Sequence, residues 1–226
     1  MLLREVHIHC ASLRTMYAFY RKQMGMQCGL TTERLTVIAG STKLIFTPKK
    51  NFHGGYHYAF SIPEGALSGA LAFLKKNTSM FYSYDDDSYI ADFPKWKARS
   101  LFFSDADGNV VELIARKGDG EYTDENFDVA AIISLSEIGL GCQSPRHLAM
   151  QLRAQAGLEE YDKGRDYFKA VGDRYGLFIL SSPVRNWYPS TLPTKLLETR
   201  VLFENLGKFY DLQHTPDRTH ISTVYM

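Results

Sequence analysis

Residues 99–115 read RSLFFSDADGNVVELIA, two apolar runs on either side of Asp105-Ala106-Asp107-Gly108-Asn109. Arg99 to Ser104 and Val110 to Ala115 are rich in the β-branched and aromatic side chains that suit a pleated strand, and the Asp, Gly and Asn between them are turn residues. The segment therefore predicts a β-hairpin. Its turn resembles a calcium loop only superficially, because the glycine is misplaced for an EF-hand. Working back from the hairpin, Tyr56 to Ile62 predicts a strand ended by Pro63. Leu67, Ala70, Leu71 and Leu74 then recur at helical spacing to about Lys76, and Met80 to Tyr84 is strand-like. Asp85-Asp86-Asp87 reads as a solvated loop.

The same order recurs on both sides. Upstream, Glu5 to Cys10 alternates polar and apolar residues, the period of a strand with two unlike faces. Ser12 is placed to cap a helix carrying Leu13, Met16, Tyr17, Tyr20 and Met24, and Gly25 is placed to end it. A strand around Cys28 to Thr32 and a hairpin of Leu35 to Ala39 with Lys43 to Thr47 complete that unit. Downstream, Ile138 to Cys142 predicts a strand, Ser144-Pro145 a helix start, and Leu148, Leu152 and Ala156 a helical stripe stopped by Gly157. Phe168 to Val171 and Leu177 to Ser181 then form another hairpin. A strand at about Leu197 to Phe203 opens a fourth unit, which the tail after Asn205 does not complete. The predicted class is α+β, built of tandem βαβββ modules whose curved mixed sheets pair to bury a shared face. Gly118 to Asn126, rich in Gly, Asp and Glu, reads as a linker between a first domain of two modules, residues 1–120, and a degenerate second domain, residues 121–226.

Composition narrows the classes further. The chain has 226 residues, 45% hydrophobic and 23% charged, enough for a sizeable core. A net charge of +1 argues against binding nucleic acid by phosphate neutralisation. No apolar run approaches the roughly 20 residues of a membrane span. The opening MLLREVHIHC interrupts any signal-peptide core with charge, so a cytoplasmic address is expected. Cys10, Cys28 and Cys142 lack metal-type spacing and read as free thiols in a reducing compartment.

Three motifs carry a resemblance. Ser104-Asp105-Ala106-Asp107-Gly108-Asn109-Val110-Val111-Glu112-Leu113 resembles D-P-D-G-N-x-x-E-L, His57-Tyr58-Ala59-Phe60 resembles H-x-A-F, and Ser12-Leu13 through Phe19-Tyr20 to Met24-Gly25-Met26 resembles a helix ending in L-G-M. In this order and spacing they are similar to the vicinal-oxygen-chelate superfamily of glyoxalase, fosfomycin-resistance, bleomycin-resistance and extradiol-dioxygenase proteins. The likeness covers residues 4–116 well and 132–205 loosely.

The resemblance implies a cup-shaped sheet in which inward side chains hold a divalent metal ion, Mn, Fe, Ni or Zn, with positions open to a small oxygenated substrate. His57 and Glu112 fall on two ligand positions, and Glu112 is the residue expected to act in catalysis. The third ligand is Glu5 by strict count or His7 by a register change of one pair, and both share a strand face with His9. Leu44 or Ile45 occupies the fourth position, so a four-ligand centre is not expected. Alternation sets Glu112 among the apolar Val110 and Ile114, where a lone buried charge would cost several kcal/mol; a metal or an arginine, with Arg99 the candidate, would offset it. Phe81, Tyr82, Tyr84 and Trp96 serve as core or line the cup. The second half, with no histidine at Ile138 to Cys142 and Leu180 in the place of Glu112, reads as structural, and Arg185-Asn186-Trp187-Tyr188-Pro189 resembles a loop of multi-module relatives. The alternative function is a metal-free module that sequesters a hydrophobic or planar ligand, and a homodimer is compatible with either reading.

Overall fold

The computed structural model describes residues 1–122 and 126–225. Its first module is β1 (Leu2–Cys10), a helix α1 (Leu13–Tyr17) continued as a π-helical turn over Ala18–Gln23, then β2 (Cys28–Leu30), β3 (Leu35–Ala39) and β4 (Thr42–Pro48). The second is β5 (His57–Ile62), α2 (Leu67–Asn77), β6 (Ser79–Met80), β7 (Ile90–Phe93), β8 (Ala98–Ser104) and β9 (Val110–Arg116). The third is β10 (Ser134–Gly141), α3 (Pro145–Ala156), β11 (Phe168–Asp173) and β12 (Gly176–Ser181), and the fourth is a meander of β13 (Thr199–Asn205), β14 (Lys208–His214) and β15 (Thr219–Val224). No helix among the described residues is long and apolar enough to cross a membrane.

Local sequence explains the helix ends. The Ser12 hydroxyl accepts from the Thr15 N–H and that of Ser144 from the His147 N–H, each satisfying one free donor of a first turn. Gly157 closes α3 in the left-handed region, where a side chain would be strained.

Two sheets form, and they interleave the chain. One runs β15-β14-β13-β1-β4-β3-β2 and the other β11-β12-β10-β5-β9-β8-β6, with β7 on β8. Within a module the opening strand lies parallel to the closing one, as β1 to β4, β5 to β9 and β10 to β12. Between paired modules the opening strands meet antiparallel, β1 with β13 and β5 with β10. The stretches 1–120 and 121–226 therefore each contribute to both sheets. The predicted linker Gly118 to Asn126 lies between β9 and β10, and its residues 123–125 fall outside the described residues.

Alternation sorts each strand between two environments. Val6, Ile8 and Cys10 of β1 and Tyr58, Phe60 and Ile62 of β5 join one apolar core with the buried faces of the helices. His57, Ala59 and Ser61 face the other side of β5.

Two expectations are corrected. Met80 to Tyr84 is not a full strand: the strand ends at Met80, with one more bond from the Phe81 N–H to Phe102 O, and the partner of β8 beyond it is β7, a four-residue run too short to announce itself. The tail after Asn205 continues as β14 and β15, because the buried Tyr210, Leu212 and Ile221 supply apolar anchors at alternate strand positions.

The loop 182–198 between β12 and β13 lies directly on β10. A Cβ added at Gly141 would come within 2.0 Å of the Lys195 carbonyl oxygen, and one at Gly139 within 2.7 Å of the Trp187 ring. Gly141→Ala is therefore expected to cost about 1–3 kcal/mol. In urea unfolding the midpoint should fall while the slope is unchanged; an unchanged midpoint would show that the loop yields freely.

Candidate functional site

The site is written across one row of the eight-stranded sheet. Phe102 on β8 stands opposite Glu112 on β9, Glu112 opposite Ala59 on β5, and Ala59 opposite Glu137 on β10. Paired residues share a sheet face, so the two carboxyls flank the small methyl of Ala59 and converge above it. A bulge between Leu135 and Glu137 sets that register. One pleat further along β5, His57 adds its imidazole. Ligand-capable atoms of His57, Glu112 and Glu137 all lie within 4.8 Å of one another, and the three residues are only 6%, 3% and 2% exposed.

Hydrogen bonding fixes the tautomer. His57 Nδ1 is 3.1 Å from the carbonyl oxygen of Val110, which can only accept, so Nδ1 carries the proton. Nε2 then presents a lone pair toward Glu112 Oε2 at 3.6 Å, too long for a hydrogen bond. Two electron-rich atoms facing each other across that gap attract only with a proton or a cation between them.

Burial sets the charges. It lowers the His57 pKa to about 4, with the Val110 bond opposing, so the ring is neutral at pH 7. It pushes the Glu112 carboxyl up to about 8, helped by the nearby Glu137 and opposed by Ser100 and Arg116. The Ser100 hydroxyl, close enough to act on Glu112 electrostatically, has no well-formed hydrogen bond to a protein group. Glu137 is raised by burial as well, but Arg116 counters it directly. The Arg116 guanidinium, 1% exposed, contacts the Glu137 carboxylate and donates to Ser61 Oγ at 3.3 Å and Ser136 Oγ at 3.2 Å. A cation buried so completely needs a counter-charge, so Glu137 holds the negative charge and Glu112 the proton in the metal-free site.

Above the triad opens a cavity of about 600 Å³ with a mainly aromatic wall. Trp187 packs against the His57 ring, centroids 5.2 Å apart and planes tilted by 34°, and donates its indole N–H to Gly55 O at 2.9 Å, which pins it over the cup. Phe102, Phe93 and Tyr188 pack edge to face beside it, and Trp96 closes the far side. Of the four aromatics expected from the sequence, Phe81 and Trp96 belong to this cluster, while Tyr84 is 86% exposed.

Other predicted residues lie elsewhere. Glu5 and His7 sit on β1, in the seven-stranded sheet, and the structure does not bring them to His57 and Glu112. They bond to each other at 3.1 Å, and Glu5 also accepts from Lys43 at 3.1 Å. The physical reason is pairing: β5 takes β9 and β10 as neighbours, never β1, so the third carboxylate beside His57 comes from β10. Arg99 is exposed, on the opposite face from Glu112, and Arg116 is the buried arginine instead. Sequence reading missed Glu137 and Arg116 by one residue each. Glu137 directly precedes the strand begun at Ile138, and the Val110, Glu112, Ile114 alternation reaches Arg116 one step past Ala115.

No protein-family model matches the sequence, and no curated protein matches it. Solved structures do. A dioxygenase-named protein from Bacillus subtilis subsp. subtilis str. 168 superposes with a TM-score of 0.58 at 16% identity, covering 99% of this chain and 69% of its own. A V278E variant of glyoxalase I from Zea mays gives 0.57 at 12% identity, covering 98% and 92%, and a further Zea mays glyoxalase I structure gives 0.52 at 15%, covering 80% and 66%. The chain shares the fold of these glyoxalase and dioxygenase-named structures, α+β modules joined into curved mixed sheets.

Two outcomes follow from the charges. The Glu112 pKa of about 8 in the folded chain lies above its ordinary value of 4.5, so the folded state binds the extra proton between them and this carboxyl's contribution to stability falls as pH rises through that window, opposed below 6.5 by the lowered His57. In chelator-treated protein, Glu112→Gln should remove this decline, at most about 1.4 kcal/mol per pH unit; urea midpoints from pH 5 to 8 (a window of roughly three units) measure it. Arg116→Met, which strands the Glu137 charge, should cost about 3–5 kcal/mol, and Arg116→Met with Glu137→Leu should recover most of it. A double variant as unstable as the single one would show that packing, not charge, holds the pair.

Proposed function

We propose that this protein is a metal-dependent enzyme of the glyoxalase/dioxygenase type, in which His57, Glu112 and Glu137 hold one divalent ion, Mn, Fe, Ni or Zn, against a small oxygenated substrate. The observation that carries this reading is the convergence of one neutral imidazole and two carboxyls at the floor of a cavity, within 4.8 Å of each other. The donor set fits. The Nε2 lone pair is free, its orientation is fixed from behind by Val110, and the 3.6 Å gap to Glu112 is suited to a shared cation.

When bound, the ion would polarise substrate oxygens as a Lewis acid. The protein's own groups do the rest. Arg116 holds the Glu137 carboxylate in place from behind. Glu112, beside the place of the ion and facing the cavity, is the group to accept or return a proton at the substrate. Trp187 and Phe102 exclude water and favour a flat, apolar substrate body.

The aromatic wall and the neutralisation of Glu137 by Arg116 also support a second reading, a metal-free module that sequesters a planar ligand. Elemental analysis of protein purified without chelator separates the two. The metal reading expects one ion per chain, lost in His57→Ala and bound at least tenfold more weakly in Glu137→Gln, on the order of 1.4 kcal/mol or more. Wild-type protein with no stoichiometric ion, and with no property altered by chelation, would overturn it in favour of ligand sequestration.

A further inference from the structure

The cavity carries at its mouth a cation that pairs with no acid among the described residues. Arg185 sits on the loop 182–198, two residues before Trp187, and lines the cavity. Among the described residues its guanidinium enters no ion pair and no hydrogen bond; its Cζ lies 4.4 Å over the Phe168 ring and 5.6 Å from the centre of the Tyr167 ring. Phe168 is itself part of the cavity wall. Partial burial and the neighbouring Arg165 both work against the Arg185 charge. Arg165 lies over the same Tyr167, with its Cζ 5.8 Å from the ring centre, donates to the Tyr167 hydroxyl, and among the described residues has no carboxylate partner. The acids that face the mouth do not pair with Arg185: Asp162 accepts from the Trp96 indole at 3.2 Å, and Asp92 is exposed.

Two guanidiniums held against one ring with no anion between them is a costly arrangement in an empty site, and a favourable one when an oxyanion binds. Stacking on Phe168 and Tyr167 fixes the plane of the Arg185 fork while leaving its N–H edge free. We infer that Arg185 is a specificity-determining residue that recognises a terminal oxyanion, carboxylate or phosphate, on a substrate whose flat apolar body lies against the aromatic wall. This deepens the reading above and rests on it only in taking the cavity as the substrate site; the triad lies at the floor and Arg185 at the rim.

Calorimetric titration of chelator-treated protein with 2-naphthoate and its uncharged isostere 2-naphthamide tests the inference without any metal. The wild type should bind the naphthoate about tenfold tighter or more, and Arg185→Gln should lose that preference while holding naphthamide within about twofold. Arg185→Lys should recover part of it, as a point charge without the fork, and Lys95→Gln, at an exposed lysine of the same rim, should keep it in full. A third probe, 2-naphthyl phosphate, tells which oxyanion is preferred, since either one lost with Arg185 supports the inference. Equal binding of acid and amide, a preference that survives Arg185→Gln, or one that disappears with Lys95→Gln would overturn it. A protein that never holds a metal would leave these titrations unchanged, so the two readings fail separately.

Discussion

Antiparallel pairing of β5 with β10 is the constraint on which the site depends. It joins the second and third modules into one eight-stranded sheet, and through the bulge before Glu137 it sets that residue opposite Ala59. The parallel pairing of β5 with β9 sets Glu112 opposite the same alanine from the other side. One methyl group thus separates two carboxyls that are 25 residues apart in the chain. A larger side chain at that position would part them, and a shift of one residue in either ladder would turn one of them into the apolar core.

Electrostatics then divides the labour between the two acids. Both are buried to similar degrees, yet only Glu137 touches a guanidinium, and so only Glu137 can be charged without a ligand. Glu112 is left neutral and proton-bearing beside a neutral imidazole. Such a pocket is stable while empty and gains a second negative charge only when something positive arrives to share it. Among the described residues, two of the three buried side-chain polar atoms without a hydrogen bond, Ser100 Oγ and Arg116 Nε, lie in this neighbourhood; the third is Arg174 Nε.

Much of the fold was legible from residue pattern. Period-two alternation located β1, apolar runs bounded by turn residues located β5, β8 and β9, serine and glycine marked the ends of two helices, and turn chemistry located three hairpins. His57 and Glu112 were legible because they sit in motifs of recognisable order. Glu137 and Arg116 were hidden at strand ends, where hydrophobic pattern fades and boundaries are least certain. Their partnership was illegible for a deeper reason. Which module's opening strand lies beside β5 is decided by long-range pairing, and nothing local to Glu5 or Glu137 states that β10, not β1, takes that place.

Interleaving of the modules has a consequence for how the chain assembles during synthesis. Every strand of the eight-stranded sheet falls between His57 and Ser181, so that sheet is complete in an uninterrupted stretch of the message. The other sheet flanks β1 with β13, nearly two hundred residues later, and joins up only once β13 has left the ribosome. The half that carries the triad can therefore mature first, while β1 to β4 wait with an open edge at β1. Truncation within β13 to β15 would take from β1 its β13 neighbour, leaving it β4 alone, and would leave the strands beneath the triad in place.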